Sequence, residues 1–285
     1  WKKITLIYIK NEKIISFCNL FIIKKFNIKL FYIPGGIEGK IDQIILSQFQ
    51  FFIHKMMNFF SILHINFHNN EIDKQILPKK FMKIKNVHET RLIMIKNLKN
   101  TDNLNKTYSK NWRHNLKRSH NKDFDMMINK NPNLKELLDL YGEMSKLKNY
   151  KIHINFDYLE RLFNNLSDFL IHYEARKNNK LIAFRTCIFK NNKAWDLLAC
   201  SNIDSKKNYC TYYIMHKIFQ DLISNNILYY DFSGVDFKNN VGVYNFKKGA
   251  GSKEFRKIGE YIYSKNIILK LSFFIFIFIK RIFIK

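Results

Sequence analysis

Long apolar runs broken by short polar pairs open the chain. In ITLIYIKNEKIISFCNLFIIKKFNIKLFYIPGG the breaks fall at Asn11-Glu12 and Lys24-Lys25, which predicts adjacent strands joined by hairpins, with Pro34-Gly35-Gly36 turning the chain out of the sheet. The period then changes. Ile41, Ile44, Ile45, Phe49, Phe52, Ile53 and Met56 recur at steps of three and four, the pattern of an amphipathic helix, and SILHINFH reads as a strand after it.

The order repeats further on. After Pro78, TRLIMIKNL reads as a strand and leads into a helix that Thr101 or Asp102 could cap. FDMMINK reads as a short strand, and NLKELLDLYGEMSKLK and FDYLERLFNNL as helices. From Asp168, three β runs are separated by two KNNK turns, then TYYIMHKIFQDLISNN reads as a helix and ILYYDFSGV as a strand. Strands, a long helix and a strand thus occur twice, a pseudo-repeat about residue 100. The fold class expected is α+β, or mixed α/β. The tail NIILKLSFFIFIFIKRIFIK has an apolar run too short for a span of about 20 residues. Two readings stay open for it: an anionic membrane surface, given the lysines around it, or docking on the core.

Composition adds a charge. The 285 residues carry a formal net charge of +26, which suits a polyanionic partner such as nucleic acid, anionic lipid or a phosphorylated substrate. The joint enrichment in Lys, Asn, Ile, Phe and Tyr is also what an AT-rich genome produces, so clusters weigh more than the total. The densest cluster is KNWRHNLKRSHNK, Lys110 to Lys122. On a helix it presents Arg113 and Lys117 on one face with Trp112 towards the core, either an anion site or a solvated face. Cys18, Cys187, Cys200 and Cys210 have no zinc or disulfide spacing and fit a reducing compartment. His64 and His68 lie in a strand with no acid at ligand spacing, and G-x-S-x-G, H-E-x-x-H and P-loop patterns are missing. No metal is expected. The first residue is Trp1, which suggests a start upstream and leaves any signal peptide unobserved.

Against this background one stretch stands out, LYYDFSGVDFKNNVGVYNFKKGAGSK, with Gly234, Gly242, Gly249 and Gly251 together in a chain of nine glycines. YYDFSGVD followed by GVYNFKKGAGSKEFRKIGEYIY resembles the signature of the Fem-type peptidoglycan-bridge aminoacyltransferases, a strand ending Y-D-F-G-G and a later F-K-x-G-F-G loop. RLIMIKNL with SKNWRHNLKRSHNK, and FYIPGGIEG, are similar to that family's first-half features.

The resemblance implies two tandem GNAT-like folds: residues 1–100 as a first one, expected to be incomplete at its N-terminus, 101–265 as the second, and 266–285 as a basic, apolar tail. It implies an acyltransferase forming an amide on an amine of a cell-envelope precursor, with aminoacyl-tRNA expected as the donor and co-substrate and no cofactor. N-acyl transfer to surface-polysaccharide or lipid-linked sugars, and a catalytically inactive basic binding module, stay open as alternatives. By position, Phe246 and Lys247 form the family's F-K pair, with Lys247 set to stabilise developing negative charge or to hold the tRNA end. Tyr244, Lys248, Arg113 and Lys117 are candidate substrate-binding residues, and Asp236 is a candidate for accepting a proton or orienting the amine. Gly249 and Gly251 are expected to let a loop carrying Phe246 and Lys247 close, and Gly234 to turn the strand end. Ser233 and Ala250 depart from the pattern. Tyr209 stands where a pyrophosphate loop wants glycine, which disfavours acyl-CoA. The setting expected is cytoplasmic, at the inner membrane face.

Overall fold

The computed structural model describes all residues but 41, 71–80, 85–91, 100–102, 149–153, 236, 238–239 and 284–285. The chain divides into two compact units, Trp1–Leu92 with Phe255–Lys285, and Ile93–Glu254. The first begins with strands β1 (Lys2–Lys10), β2 (Lys13–Lys25) and β3 (Ile28–Gly35), antiparallel in sequence order. Their turns hold Asn11 and Glu12, then Phe26 and Asn27, all at positive φ, the backbone that a two-residue hairpin requires. The second turn therefore lies just past Lys24-Lys25, because Asn27 tolerates that conformation better than lysine. A short β4 (Glu38–Gly39) pairs with β2.

Helix α1 (Gln43–Met56) follows, its first turn closed by Asp42, whose carboxylate accepts from the Ile45 N–H at 2.9 Å. Ile45, Leu46, Phe49 and Ile53 are buried, each such side chain contributing about 1.5–3 kcal/mol on removal from water. Ile44 and Phe52 of the expected stripe are exposed instead, and Ile41 lies outside the described residues. Strand β5 (Ser61–Asn70) then pairs parallel to β3 over seven residue pairs, Lys29 with Ser61 to Gly35 with Phe67. Phe31, Ile33, Leu63 and Ile65 from this pair join α1 in one core cluster. β6 (Met82–Ile84) completes the described part of this segment.

The second unit follows the same plan. It takes β7 (Leu92–Asn97), helices α2 (Leu104–Thr107) and α3 (Lys110–His120), β8 (Asp125–Ile128), and helices α4 (Leu134–Lys148) and α5 (Phe156–Leu166). Asn103 and Ser109 cap α2 and α3; Thr101 and Asp102 lie outside the described residues. Strands β9 (Leu170–Lys177), β10 (Lys180–Lys190) and β11 (Lys193–Ser201) are antiparallel, with hairpin turns on the two expected KNNK segments. Helices α6 (Ile203–Lys207) and α7 (Cys210–Ser224) lead to β12 (Tyr229–Gly234), parallel to β11 and antiparallel to β7. Helix α8 (Val241–Gly249) follows.

Strand β13 (Lys253–Tyr263) and helix α9 (Ile267–Phe283) return to the first unit, where β13 pairs antiparallel with β5 and β6. Both units thus run three antiparallel strands, helix, and a strand parallel to the third, with an antiparallel neighbour beyond it. The fold is α+β with mixed sheets, as expected. The four cysteines are free and buried.

Candidate active site

In the second unit the parallel pair comes apart. β11 and β12 are paired only from Lys193 with Tyr229 to Trp195 with Asp231. Beyond that, β11 stays with β10 and β12 stays with β7. Strands that separate leave backbone carbonyls without ladder partners, and buried carbonyls need them. Lys247 answers that need: its Nζ donates to the Phe232 carbonyl at 2.5 Å and the Gly234 carbonyl at 2.8 Å. Ser233 spans the opening, its Oγ donating to the Asp196 carbonyl at 2.9 Å.

Charged and polar side chains line the same opening. Arg185 on β10 meets Asp196 on β11 at 3.0 Å, and the Tyr230 hydroxyl donates to the other Asp196 oxygen at 3.1 Å. Cys187 Sγ lies 3.3 Å from the Tyr230 hydroxyl, and Lys193 pairs with the buried Asp231 at 2.9 Å. Burial opposes charge on Arg185, but Asp196 together with Tyr230 and Cys187 more than offsets it and holds the guanidinium firmly protonated. Burial pushes the Cys187 thiol up to about 12 and, with Asp196, raises the Tyr230 phenol well above its ordinary value, so both stay neutral. Lys247 is only 7% exposed. Burial lowers its ammonium to about 8, with Asp196 pulling the other way. At neutral pH it is mostly charged, and two of its three N–H groups are engaged by β12.

Lys247 sits on a helix rather than on a closing loop. Val241–Gly249 is helical, and α8 is fixed at its C-terminal end. Ser109 N–H donates to the Gly249 carbonyl at 2.9 Å, and a Cβ on Gly249 would meet Ser109 Oγ at 3.0 Å and Trp112 Cδ1 at 3.1 Å. Gly251 has φ of +81°, and a Cβ there would lie 2.3 Å from the Thr107 carbonyl oxygen. The two glycines let α8 abut α2 and α3; they are not hinges. The residue that turns the end of β12 is Ser233, at φ +62°, rather than Gly234; its N–H donates to Asp231 Oδ1 at 2.8 Å.

A second buried lysine anchors the same helix. Lys96 on β7 is fully enclosed, its Nζ donating to the Ala250 carbonyl at 2.6 Å and Thr107 Oγ1 at 2.7 Å, over the rings of Tyr108 and Phe219. Burial lowers it to about 8.

The expected residues separate into groups. Phe246 lies beside Lys247, half-buried among Trp112, Tyr212 and the Arg185 guanidinium, at 6.1, 5.1 and 5.6 Å. Tyr244 and Lys248 form another group with Glu254: Tyr244 donates to that carboxylate, and Lys248 donates to the Tyr244 hydroxyl at 3.2 Å. On α3, Trp112 is buried as expected and Lys117 is exposed. The Arg113 guanidinium donates to the Tyr108 carbonyl at 3.0 Å, which ties it to the end of α2. Asp236 lies outside the described residues. Tyr209 precedes α7 at φ +57°, so the left-handed turn exists but carries a phenol, bonded to Arg118 at 2.8 Å. His64 pairs with Glu260 at 2.9 Å, and among the described residues no cluster could hold a metal ion. Lys96, Arg185, Asp196 and Tyr230 escaped the sequence reading. The signal for Arg185 and Asp196 was there: each interrupts an apolar β run, LIAFRTCIF and AWDLLAC.

The opened strand pair, α7, α8 and the Lys247 contacts all fall within residues 167–272, which match the family model described as FemAB family. That segment, which carries the site, is of the FemAB type. A likeness of fold extends along the chain: a crystal structure of FemX is similar over 96% of this chain and 90% of that one, with a TM-score of 0.82 at 12% identity. The structure of L-PGS from Bacillus licheniformis is similar over 92% and 84%, at TM-score 0.57 and 13% identity. A C-terminal domain of a putative lysylphosphatidylglycerol synthetase from Agrobacterium fabrum is similar over 91% and 84%, at 0.53 and 11%. At these identities the likeness is one of fold. No curated protein matches the sequence.

Proposed function

We propose that this Fem-type chain transfers an aminoacyl group from aminoacyl-tRNA to an amine of a nucleotide- or lipid-linked cell-envelope precursor of the peptidoglycan kind. The observation that carries the reading is the Lys247 ammonium held at the opening between β11 and β12, with two N–H groups on β12 carbonyls. Aminolysis of an ester places negative charge on the carbonyl oxygen as the amine adds. The third Lys247 N–H stabilises that oxyanion, the ester C–O bond then breaks, and the proton lost by the amine passes to the leaving oxygen, so that the tRNA hydroxyl departs as the amide forms. A buried cation already bound to carbonyls needs little reorganisation as charge develops. Phe246 orients the acyl group, and the exposed cations of α3, Lys117 among them, offer sequence-independent attraction to the phosphates of the donor. In this reading the donor is a co-substrate, and no cofactor or metal is required.

A second reading, N-acyl transfer to surface-glycan sugars from acyl-CoA, is disfavoured by Tyr209, whose side chain occupies the left-handed position where a pyrophosphate loop wants glycine. Incubating the protein with charged tRNA or acyl-CoA and a panel of amine acceptors separates the two. Amide formation from charged tRNA is expected; transfer from acyl-CoA alone overturns the assignment of donor.

A further inference from the structure

One end of the first unit gathers apolar side chains that its core does not use. Phe26, at the turn between β2 and β3, is 88% exposed, and Phe59 and Phe60, just before β5, are 57% and 52% exposed. These places adjoin one another and the start of α9. Lys29 N–H donates to the Phe60 carbonyl at 3.0 Å, Ser264 Oγ to the Ser61 carbonyl at 2.7 Å, and Lys265 Nζ to the Met57 carbonyl at 2.9 Å. Helix α9 docks through Phe273, Phe274 and Ile277 on Met82, Ile84 and Ile262. Its other face is also apolar: Ile268, Leu271 and Ile275, spaced by three and four, all point outwards. A helix that is apolar all round and covered on one side only needs a second apolar neighbour.

Charge identifies that neighbour. Residues 24–30, 55–61 and 264–283 include Lys24, Lys25, Lys55 and Lys265 and contain no Asp or Glu. A second copy would bring two cationic faces together, which like-charge repulsion opposes. No helix among the described residues is long and apolar enough to cross a membrane, so a lipid contact here is one of lying on the surface. We propose that this end of the first unit binds the surface of an anionic phospholipid bilayer. The three phenylalanines and the open face of α9 enter the headgroup boundary, and the lysines meet lipid phosphates. The inference rests on the first unit alone and is independent of the acyl-transfer reading.

The test is co-sedimentation of the full chain with vesicles of phosphatidylcholine and with vesicles of phosphatidylcholine and phosphatidylglycerol in equal parts. Binding to the mixed vesicles is expected to be tighter by about tenfold or more, and to weaken as salt rises. Phe26→Ser with Phe60→Ser, and separately Ile268→Ser with Leu271→Ser, should each weaken it by about tenfold with circular dichroism unchanged. Lys24→Glu with Lys25→Glu, which leaves the apolar face intact, should weaken it as well. Failure to sediment with mixed vesicles, equal affinity for both kinds, or binding unchanged in all three variants overturns the proposal. So does a concentration-dependent dimer that the same variants abolish and that binds no vesicles.

Discussion

The two units place a parallel strand pair at the same point of the same plan, and the two pairs behave differently. β3 and β5 stay paired for seven residue pairs, whereas β11 and β12 part after three. The closed pair is flanked by Phe31, Ile33, Leu63 and Ile65, which need only apolar neighbours. The open pair is flanked by Arg185 paired with Asp196, by Asp231 paired with Lys193, and by Lys247, whose ammonium is held by β12 carbonyls. One topology therefore builds a core in one unit and a charged, addressable opening in the other. The difference lies in which side chains stand on and around the third strand and its parallel partner.

Removing the charge balance should break the contrast most severely. Asp196→Ala leaves the Arg185 guanidinium buried without its carboxylate, a loss expected to cost about 3–5 kcal/mol in denaturant unfolding. Leu63→Ala in the closed pair, at a fully buried site, should cost about 2–5 kcal/mol yet leave the rate per folded molecule unchanged. If Leu63→Ala slows transfer as much as Lys247→Ala does, the division of labour between the pairs is wrong. Lys247→Ala itself should lower the rate constant of transfer about 100- to 1,000-fold, as loss of one oxyanion donor does. Unchanged transfer by a folded variant sinks the role given to this lysine.

Gly251→Ala tests how rigidly α8 is held. A side chain at φ +81° against the Thr107 carbonyl should cost about 1–3 kcal/mol and displace the helix that carries Lys247. Wild-type stability would mean that α8 has freedom at this end. The smallest effect concerns pH. With the folded Lys247 value at about 8, the ammonium is lost as pH rises, so the rate of the lysine-dependent step should fall about twofold between pH 7 and 8. Lys247→Arg keeps its charge and should remove that limb. A climb through this window that Lys247→Arg abolishes would instead assign Lys247 as a base.

The strands and long helices were legible because their patterns are strong: apolar runs closed by asparagine turns for β9 to β11, and three- and four-residue spacing for α1. α8 was not. It is short, a glycine stands near each end, and Asn240 offers it no side-chain cap, so the segment carries the marks of a loop. Within the site, Lys247 was reached through the resemblance, but its bonds to β12 were not. Arg185 and Asp196 are eleven positions apart in sequence, and only the β10–β11 register and the parting of β12 from β11 bring them near a lysine from a later helix. Lys96 was hidden more completely, since one lysine among so many in an AT-rich composition carries no mark of being buried.

The turns of this chain have a consequence for how its sequence can drift. Among the described residues, ten other than glycine adopt positive φ, and six of them are asparagines: Asn11, Asn27, Asn178, Asn179, Asn191 and Asn226. Such turns are permissive, because glycine or aspartate can replace asparagine there at little cost. Gly251 allows no such exchange, since any side chain meets the Thr107 carbonyl, and Gly249 allows one only where Ser109 and Trp112 give way by a few tenths of an ångström. Neutral variation can therefore rewrite most bends of the molecule while Gly251, behind Lys247, stays as it is, and a diverging lineage that lost it would be expected to have lost the reaction as well.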